Sequence, residues 1–357
     1  MTGDYASLTK FIQSYILAPG LNFNSSNTTT SAVKSIIGGF KHLGWTTEEV
    51  VVEKPRPPRH KLFSPDGTIE LSMNSAKVFR HPMHTEQICQ RKHLTKRMLE
   101  FDKLPTPAGA DFSSKEKNVA LAYFKKVPKP VVVKPTNSGG SHGVTVGVSE
   151  SAEFESAWDF ALDGGRENSN VLIEQFVHGV ELRALVIGDE VVSIVARVQP
   201  FVVGNGSANL KTLIDDSNEA RKVHYRAMQM PVVFNWDFIG KQGHDPESIP
   251  AEDEIVYLNP LGLAAYGAFL VDVTDSVNAE VKDLAIRAKN AIPEMEIGGV
   301  DILIEDLDDV GTGVILEVNT APSLNLHRYA THGRARDVDL DIVRYFHGRY
   351  VKESGRA

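Results

Sequence analysis

The chain has 357 residues, 42% of them hydrophobic and 24% charged, which is enough for two or three compact lobes of ordinary globular composition. A formal net charge of −8 argues against a nucleic-acid-coating surface, although a local basic cleft for an anion stays compatible with it. The single cysteine, Cys89, excludes an intramolecular disulfide, no apolar run is long enough to cross a membrane, and the N-terminus lacks a secretory-signal pattern. We therefore expect a cytoplasmic protein with neither nucleic-acid nor membrane partners.

The first hundred residues predict helices, loops and one hairpin. Residues 1–20 and 31–43 have helical spacing, and the three prolines in 54–60 predict a loop. The segment LFSPDGTIELSM, residues 62–73, predicts a hairpin with Pro-Asp-Gly at the turn. An amphipathic helix is predicted for 85–101.

The rest of the chain alternates between strand and helix patterns. Residues 204–232 predict a loop and a helix, and no regular structure is predicted for 233–255. Mixed strands and helices indicate an α+β architecture with several lobes. The predicted strands are 131–135, 143–148, 170–177, the two halves of 181–201, 298–305 and 313–319, and the predicted helices are 151–163, 277–292 and 337–347.

Two carboxylates and an amide are predicted to meet near the C-terminus. Glu317 and Asn319 are two residues apart on a strand, so their side chains leave the same face. If the hairpin is symmetric about residue 309, Asp301 lies opposite Glu317, and like charges so placed repel. A Mg²⁺ ion bound by these oxygens would relieve that repulsion. The alternative is a solvated acidic face, although the flanking residues are apolar.

A second pattern is VVVKPTNSGGSHGVTVGV, residues 131–148. Its first strand carries Lys134, and Gly139, Gly140 and Gly143 follow before the next strand. Glycines allow a backbone to approach a phosphate closely, and successive N–H groups can bind an anion. The order differs from a Walker A loop and from the dinucleotide GxGxxG pattern. An ordinary hairpin with a glycine turn is the alternative interpretation.

Two arginines lie in apolar strands. Arg183 and Arg197 are unusual there unless they have anionic partners, and Glu174 and Glu181 flank the connection that precedes Arg183. The guanidinium group matches a carboxylate or a phosphate, so the pair indicates a pocket for one of these anions. Either arginine alone could lie at a sheet edge or extend to solvent.

Taken in order, these motifs resemble the ATP-grasp superfamily. The similarity covers residues 85–345 and includes KHLTKRMLEFDKLPTPAG, VVVKPTNSGGSHGV, VLIEQFVHGVELRALVIG, GGVDILIED and EVNTAPSLNLH. Within the superfamily the chain is most similar to the ATP-grasp part of cyanophycin synthetases and bifunctional glutathione synthetases. The resemblance implies an ATP-grasp fold, in which a nucleotide binds between two α+β lobes, here preceded by an N-terminal α/β lobe.

The resemblance also implies roles for individual residues. Arg197 and Arg183 would face the acyl phosphate and substrate carboxylates, and Ser323 and His327 would approach the acceptor. Asp301, Glu317 and Asn319 would bind Mg²⁺, with Mn²⁺ as an alternative. The residues implied to bind ATP are Lys92 and Lys134 at the phosphates, Ser138, Gly139, Gly140, Ser141, His142, Gly143 and Val144 in the loop above them, Glu174, Gln175, Phe176 and Val177 in the adenine hinge, and Glu181 at the ribose.

The implied domains are an N-terminal lobe over 1–100, a small ATP-grasp lobe over 101–180, a large lobe over 181–345 and a tail over 346–357.

The chain departs from relatives in three places: it has Arg91 before Lys92, Ser323 after Pro322, and Gly299 where D-alanine ligases carry an arginine. It is also too short for the additional domains of cyanophycin and bifunctional glutathione synthetases, so neither named activity is assumed.

The function implied is ATP-dependent ligation of a carboxylate to an amine through an acyl phosphate. The expected substrates are amino acids or small peptides, and a homo-oligomer is compatible with the family. Two alternatives stay open: a ligase that adds amino acids to a protein or peptide acceptor, and a non-catalytic ATP-binding regulator. Intact Asp301, Glu317 and Asn319 argue against the regulator.

Overall fold

A computed structural model describes residues 5–19, 23–26, 30–51, 59–74, 77–78, 81–311 and 313–355. The residues 52–58, and with them most of the predicted 54–60 loop, lie outside this description. No helix in the described ranges is both long enough and apolar enough to span a membrane.

The N-terminal elements include a small antiparallel sheet, on which α2 (Ala32–His42) packs. The predicted hairpin is confirmed, since Phe63 pairs with Glu70 and Asp66 accepts hydrogen bonds within the turn. The first helix is shorter than the predicted 1–20. The elements are α1 (Ala6–Tyr15), α2 (Ala32–His42), β1 (Thr46–Val50), β2 (Arg59–Phe63), β3 (Glu70–Asn74), α3 (Met83–Gln90) and α4 (Lys92–Phe101), and the strand order is β1-β2-β3.

The prediction of a single helix over 85–101 is wrong, because the helix is interrupted at Arg91. Arg91 has an extended conformation, with φ −117° and ψ 99°, between α3 and α4. The backbone N–H of Lys92 donates to the carbonyl of Thr136 at 2.8 Å instead of continuing one helix. This long-range bond fixes the start of α4 beside the strand that precedes the glycine-rich loop.

The next elements form a four-stranded antiparallel sheet of order β4-β7-β5-β6. Two helices cover it, and a core around Phe124, Phe154 and Trp158 joins them to the strands. β5 and β6 are adjacent, so the glycine-rich segment connects neighbouring strands as predicted. The elements are β4 (Gly109–Phe112), α5 (Lys117–Lys126), β5 (Val131–Pro135), β6 (Thr145–Val148), α6 (Ser151–Gly164) and β7 (Val171–Gln175).

The remaining elements build a five-stranded antiparallel sheet of order β12-β9-β8-β13-β14 and a separate pair, β10-β11. The central strands are buried and rest on α9. The elements are β8 (Val180–Ile187), β9 (Glu190–Val198), β10 (Phe201–Val203), α7 (Leu210–Ala220), α8 (Trp236–Gly240), β11 (Ile255–Tyr257), β12 (Phe269–Asp272), α9 (Ala279–Asn290), β13 (Ile297–Ile304), β14 (Val314–Asn319), α10 (Asn325–Arg328) and α11 (Val338–Glu353).

Two predictions about this region have clear outcomes. The pairing of Asp301 with Glu317 is confirmed, although a register shift follows at Ile302. The prediction that 233–255 has no regular structure is wrong, because α8 lies within this segment. Asn235 caps α8 by accepting from the N–H of Phe238, and its own N–H donates to Leu258 at 2.9 Å.

Candidate active site

A cavity of about 940 Å³ is lined by residues of both the four-stranded and the five-stranded sheet. Most residues that the sequence analysis singled out contribute to its wall. They are Lys92, Lys134, Ser138, Gly139, Gly140, Ser141, Val144, Glu174, Gln175, Phe176, Val177, Glu181, Arg183, Arg197, Asp301, Glu317 and Asn319.

The loop between β5 and β6 owes its shape to left-handed residues. Gly140, Ser141 and Gly143 have φ values of +63°, +57° and +75°. Gly143 packs directly on Gly164 at the end of α6, where an added Cβ would lie 2.5 Å from the Gly143 backbone nitrogen. His142 and Gly143 are not among the lining residues. The contact with Gly164 therefore supports the loop from behind.

Three lysines converge between the loop and the hinge strand. Lys134 Nζ lies 2.5 Å from Glu174 Oε2, and Lys96 Nζ lies 3.7 Å from Glu174 Oε1. Lys92 Nζ donates to the carbonyl of Ser138 at 3.0 Å and lies 3.8 Å from Glu317 Oε2. Lys92 thus spans the glycine loop and the acidic strand. Lys96 was missed by the sequence analysis, although its four-residue spacing from Lys92 places both on one helical face.

Two arginines and two carboxylates form a cluster on the face of the five-stranded sheet, in which Arg183 and Asp301 are buried and Glu181 and Arg197 are half-buried. Arg183 pairs with Asp301 across β8 and β13 and donates Nη2–H to Asp301 Oδ2 at 2.8 Å. Arg197 Nη2 lies 3.1 Å from the same oxygen and also donates to Glu181. Burial disfavours the charged carboxylate, but Arg183 and Arg197 outweigh burial and lower the pKa of Asp301. For Glu181 burial dominates and raises the pKa.

Gly299 explains how Arg183 reaches Asp301. A Cβ at this position would lie 3.3 Å from Cδ of Arg183 and 2.8 Å from Cβ of Pro322. The glycine therefore leaves room for the arginine of the neighbouring strand. This is the position at which the sequence departs from the D-alanine ligase pattern.

The oxygens beside this cluster fit a hard divalent cation. Glu317 is partly exposed and has Lys92 as its ion-pair partner, at 3.8 Å. Asn319 is half-buried, and its Nδ2 atom is shielded from solvent and has no hydrogen-bond partner among the described residues. Asp301 lies opposite Glu317 and accepts arginine hydrogen bonds on both oxygens, which leaves it lone pairs for a further contact. Carboxylate and amide oxygens are the ligands that Mg²⁺ prefers.

Ser323 and His327 are not among the residues that line the cavity. Ser323 is exposed in the connection after β14, whereas His327 is fully buried. The Nδ1 atom of His327 lies 2.8 Å from Oγ of Ser193, and burial lowers the pKa of His327 to about 3. A neutral imidazole packed in this way contributes to the core, and an acceptor role for Ser323 and His327 stays a prediction.

Several wall residues have no role in the site predicted from the sequence. They include Tyr5 and Leu8 of the N-terminal region, Gln199 beyond β9, and α8 with its neighbours. Nothing in their local pattern marks them, because each reaches the cavity only through tertiary packing.

Comparison with known proteins agrees with the fold predicted from the motifs. Residues 102–212 match the family described as D-ala D-ala ligase C-terminus. A glutathione biosynthesis bifunctional protein from Desulfotalea psychrophila is 27% identical over 71% of this chain and 33% of its own length. A cyanophycin synthetase from Synechocystis is 26% identical over 86% of this chain and 37% of its own length. The chain thus spans about a third of the curated relatives it matches.

Similarity to a solved structure also supports the predicted fold. The crystal structure of a bifunctional glutathione synthetase from Pasteurella multocida matches with a TM-score of 0.60 and 22% identity. The match covers 90% of this chain and 44% of that protein. The likeness supports the predicted α+β ATP-grasp fold.

Proposed function

We propose that this chain is a member of the ATP-grasp superfamily and acts as an ADP-forming ligase that joins a carboxylate to an amine through an acyl phosphate. One observation carries the proposal. A single cavity is lined from one side by two lysines and a glycine-rich loop, and from the other by two arginines, two carboxylates and an amide. The first set suits a triphosphate, and the second suits the transfer of its terminal phosphoryl group.

Each part of the wall has a role in this reaction. Lys92 and Lys134 neutralise phosphate charge, the loop Ser138–Val144 covers the phosphates, and the segment Glu174–Val177 binds the base. Glu181 lies where the ribose would bind. Asp301, Glu317 and Asn319 would hold Mg²⁺, which supplies charge neutralisation at the phosphates when bound.

The chemistry follows from these charges. A substrate carboxylate oxygen attacks the γ-phosphorus of ATP, the bond to the β-phosphate oxygen breaks, and ADP leaves. The amine then attacks the acyl carbon, loses a proton, and inorganic phosphate departs to give an amide. Arg183 and Arg197 stabilise the negative charge that develops, and the closed loop keeps water from the acyl phosphate.

The acceptor is proposed to be an amino acid or a small peptide. A cavity of about 940 Å³ lies within the range of small-molecule sites. The relatives are named for glutathione and cyanophycin synthesis, which favours amino-acid-derived substrates. Homo-oligomer formation, a cytoplasmic location and the boundaries at residues 100, 180 and 345 stay predictions.

The test is ADP release from Mg²⁺-ATP against a panel of amino acids and dipeptides, offered singly and in pairs. Turnover that requires an acid and an amine, with a product mass equal to their sum less water, would establish the ligase. ATP binding without ADP release from any mixture would contradict a small-substrate ligase. It would favour a macromolecular acceptor or the regulator.

The support of the loop by α6 gives a separate prediction. Replacing Gly164 with alanine should weaken nucleotide binding about tenfold, because the new Cβ pushes Gly143 and removes backbone hydrogen bonds to phosphate. Titration with a non-hydrolysable ATP analogue measures the effect. Gly38→Ala in α2 is the matched control, since nothing lies within 4 Å of a Cβ there. Equal affinity of both variants would contradict the proposed support.

A further inference from the structure

Gln199 lies just beyond β9, in the part of the cavity wall that adjoins the proposed base-binding hinge. Glu181 pairs with Arg197 across β8 and β9, and Gln199 follows Arg197 by two residues. Glu181 is the residue proposed to lie at the ribose. Residues two apart along an extended chain point to the same side, and Arg197 and Gln199 both line the cavity.

The side-chain amide of Gln199 carries two N–H donors. Its Nε2 atom is shielded from solvent and has no hydrogen-bond partner of normal geometry among the described residues. A weak hydrogen bond to the Tyr5 hydroxyl occupies at most one of the two donors and partly offsets the rise in pKa that burial imposes on Tyr5. Buried amide groups in proteins nearly always have partners. The second N–H therefore points to an acceptor supplied by a ligand in the cavity.

Aromatic and apolar side chains contribute to the cavity wall that Gln199 shares. Tyr5 stacks on Tyr257 with ring centroids 4.4 Å apart, and the Tyr257 hydroxyl lies 2.9 Å from Oγ1 of Thr9 in α1. Gly262 packs on the end of β9, where an added Cβ would lie 2.8 Å from the Arg197 carbonyl oxygen. The apolar side chains that share this wall are Leu8, Phe238, Leu261 and Leu263. Such walls suit a flat heteroaromatic group with few polar atoms.

The arginines nearby already have carboxylate partners, which favours a neutral ligand group over a second anion beside Gln199. Arg183 and Arg197 are matched by Glu181 and Asp301, so this cluster carries no net charge. Lys92 and Lys134 lie instead beside the glycine loop and β5, where phosphates are proposed to bind. A ligand group at Gln199 should therefore be neutral and polar.

We propose that Gln199, positioned by Tyr5 of the N-terminal region, contacts the nucleoside of ATP by donating its Nε2–H to an acceptor atom of the base or the ribose. This inference rests on the proposed function. It makes the residues around α1 part of the nucleotide site, beyond the hinge and loop that the family motifs identify.

The first test is nucleotide affinity, measured by calorimetry on the full chain with a non-hydrolysable ATP analogue and Mg²⁺. Loss of one hydrogen bond should make Gln199→Leu bind about 3- to 10-fold more weakly. Gln90→Leu, at an exposed position in α3, is the matched control and should bind like the wild type. Wild-type affinity in a folded Gln199→Leu protein would overturn the inference. Absence of nucleotide binding by the wild type would overturn the proposed function with it.

The second test separates base from ribose. Analogues lacking one acceptor in turn are used: 1-deaza, 3-deaza and 7-deaza adenine nucleotides, and 2′-deoxy and 3′-deoxy nucleotides. One analogue should bind the wild type more weakly than ATP does. The same analogue and the parent nucleotide should bind Gln199→Leu with equal affinity, and the atom missing from that analogue is then the acceptor. Fully additive losses for all five would count against the hydrogen bond. If Gln199→Leu does not fold, the series is measured on Tyr5→Phe instead. Tyr5→Phe affinities equal to those of the wild type for every analogue would reject the proposal.

Discussion

Glu317→Ala is expected to slow ADP-forming turnover at least about 100-fold while the protein stays folded. The variant removes a carboxylate of the proposed Mg²⁺ site, and a bound metal contributes several kcal/mol to stabilising transition-state charge. Stability should change little, because Glu317 is partly exposed and lies opposite another carboxylate, Asp301. Turnover at saturating Mg²⁺-ATP and thermal unfolding are the two measurements.

The control is Glu305→Ala, because Glu305 is an exposed carboxylate just beyond β13 on the same hairpin. It should keep wild-type turnover. A second measurement follows Mg²⁺ directly, by titrating the metal into protein that holds a non-hydrolysable ATP analogue. An active Glu317→Ala variant with unaltered Mg²⁺ dependence would show that the metal assignment is wrong.

Asp301→Ala is expected to lower the free energy of unfolding by about 3–5 kcal/mol, in addition to abolishing turnover. Asp301 is 3% exposed and accepts hydrogen bonds from Arg183 and Arg197. Its removal leaves Arg183 buried without a carboxylate and Arg197 with Glu181 alone, and an uncompensated buried charge is costly. Urea unfolding measures the change.

Two further variants show whether the cost comes from the unpaired charge. In Arg183→Met/Asp301→Leu both partners become apolar, so much of the lost stability should return. Asp306→Ala removes the partner of Lys10 at the surface, where both side chains are exposed, and should leave stability nearly unchanged. If Asp301→Ala unfolds at the same urea concentration as Asp306→Ala, the buried cluster does not stabilise this fold.

The two sets of variants also separate two roles that lie side by side. Glu317 and Asp301 face each other across β13 and β14, yet one is partly exposed and the other buried under arginines. We therefore expect Glu317 to affect turnover alone and Asp301 to affect both turnover and folding.

The sequence by itself determined the parts of the site that depend on local regularity. Side chains alternate along a strand, and a symmetric hairpin turn sets the pairing, so the meeting of Asp301 with Glu317 followed from counting residues. The glycine-rich connection between β5 and β6 was equally predictable, because glycines mark the positions where a backbone turns left-handed. The order of these motifs was enough to predict the ATP-grasp fold.

Only the tertiary structure decided which distant residues complete the cavity. The helix break at Arg91 results from a hydrogen bond between Lys92 and Thr136, and Lys96 joins Glu174 across two elements. Tyr5 and Gln199 come from segments nearly two hundred residues apart in the chain. Local periodicity carries no information about such contacts, because they are fixed by how the sheets and helices pack against one another.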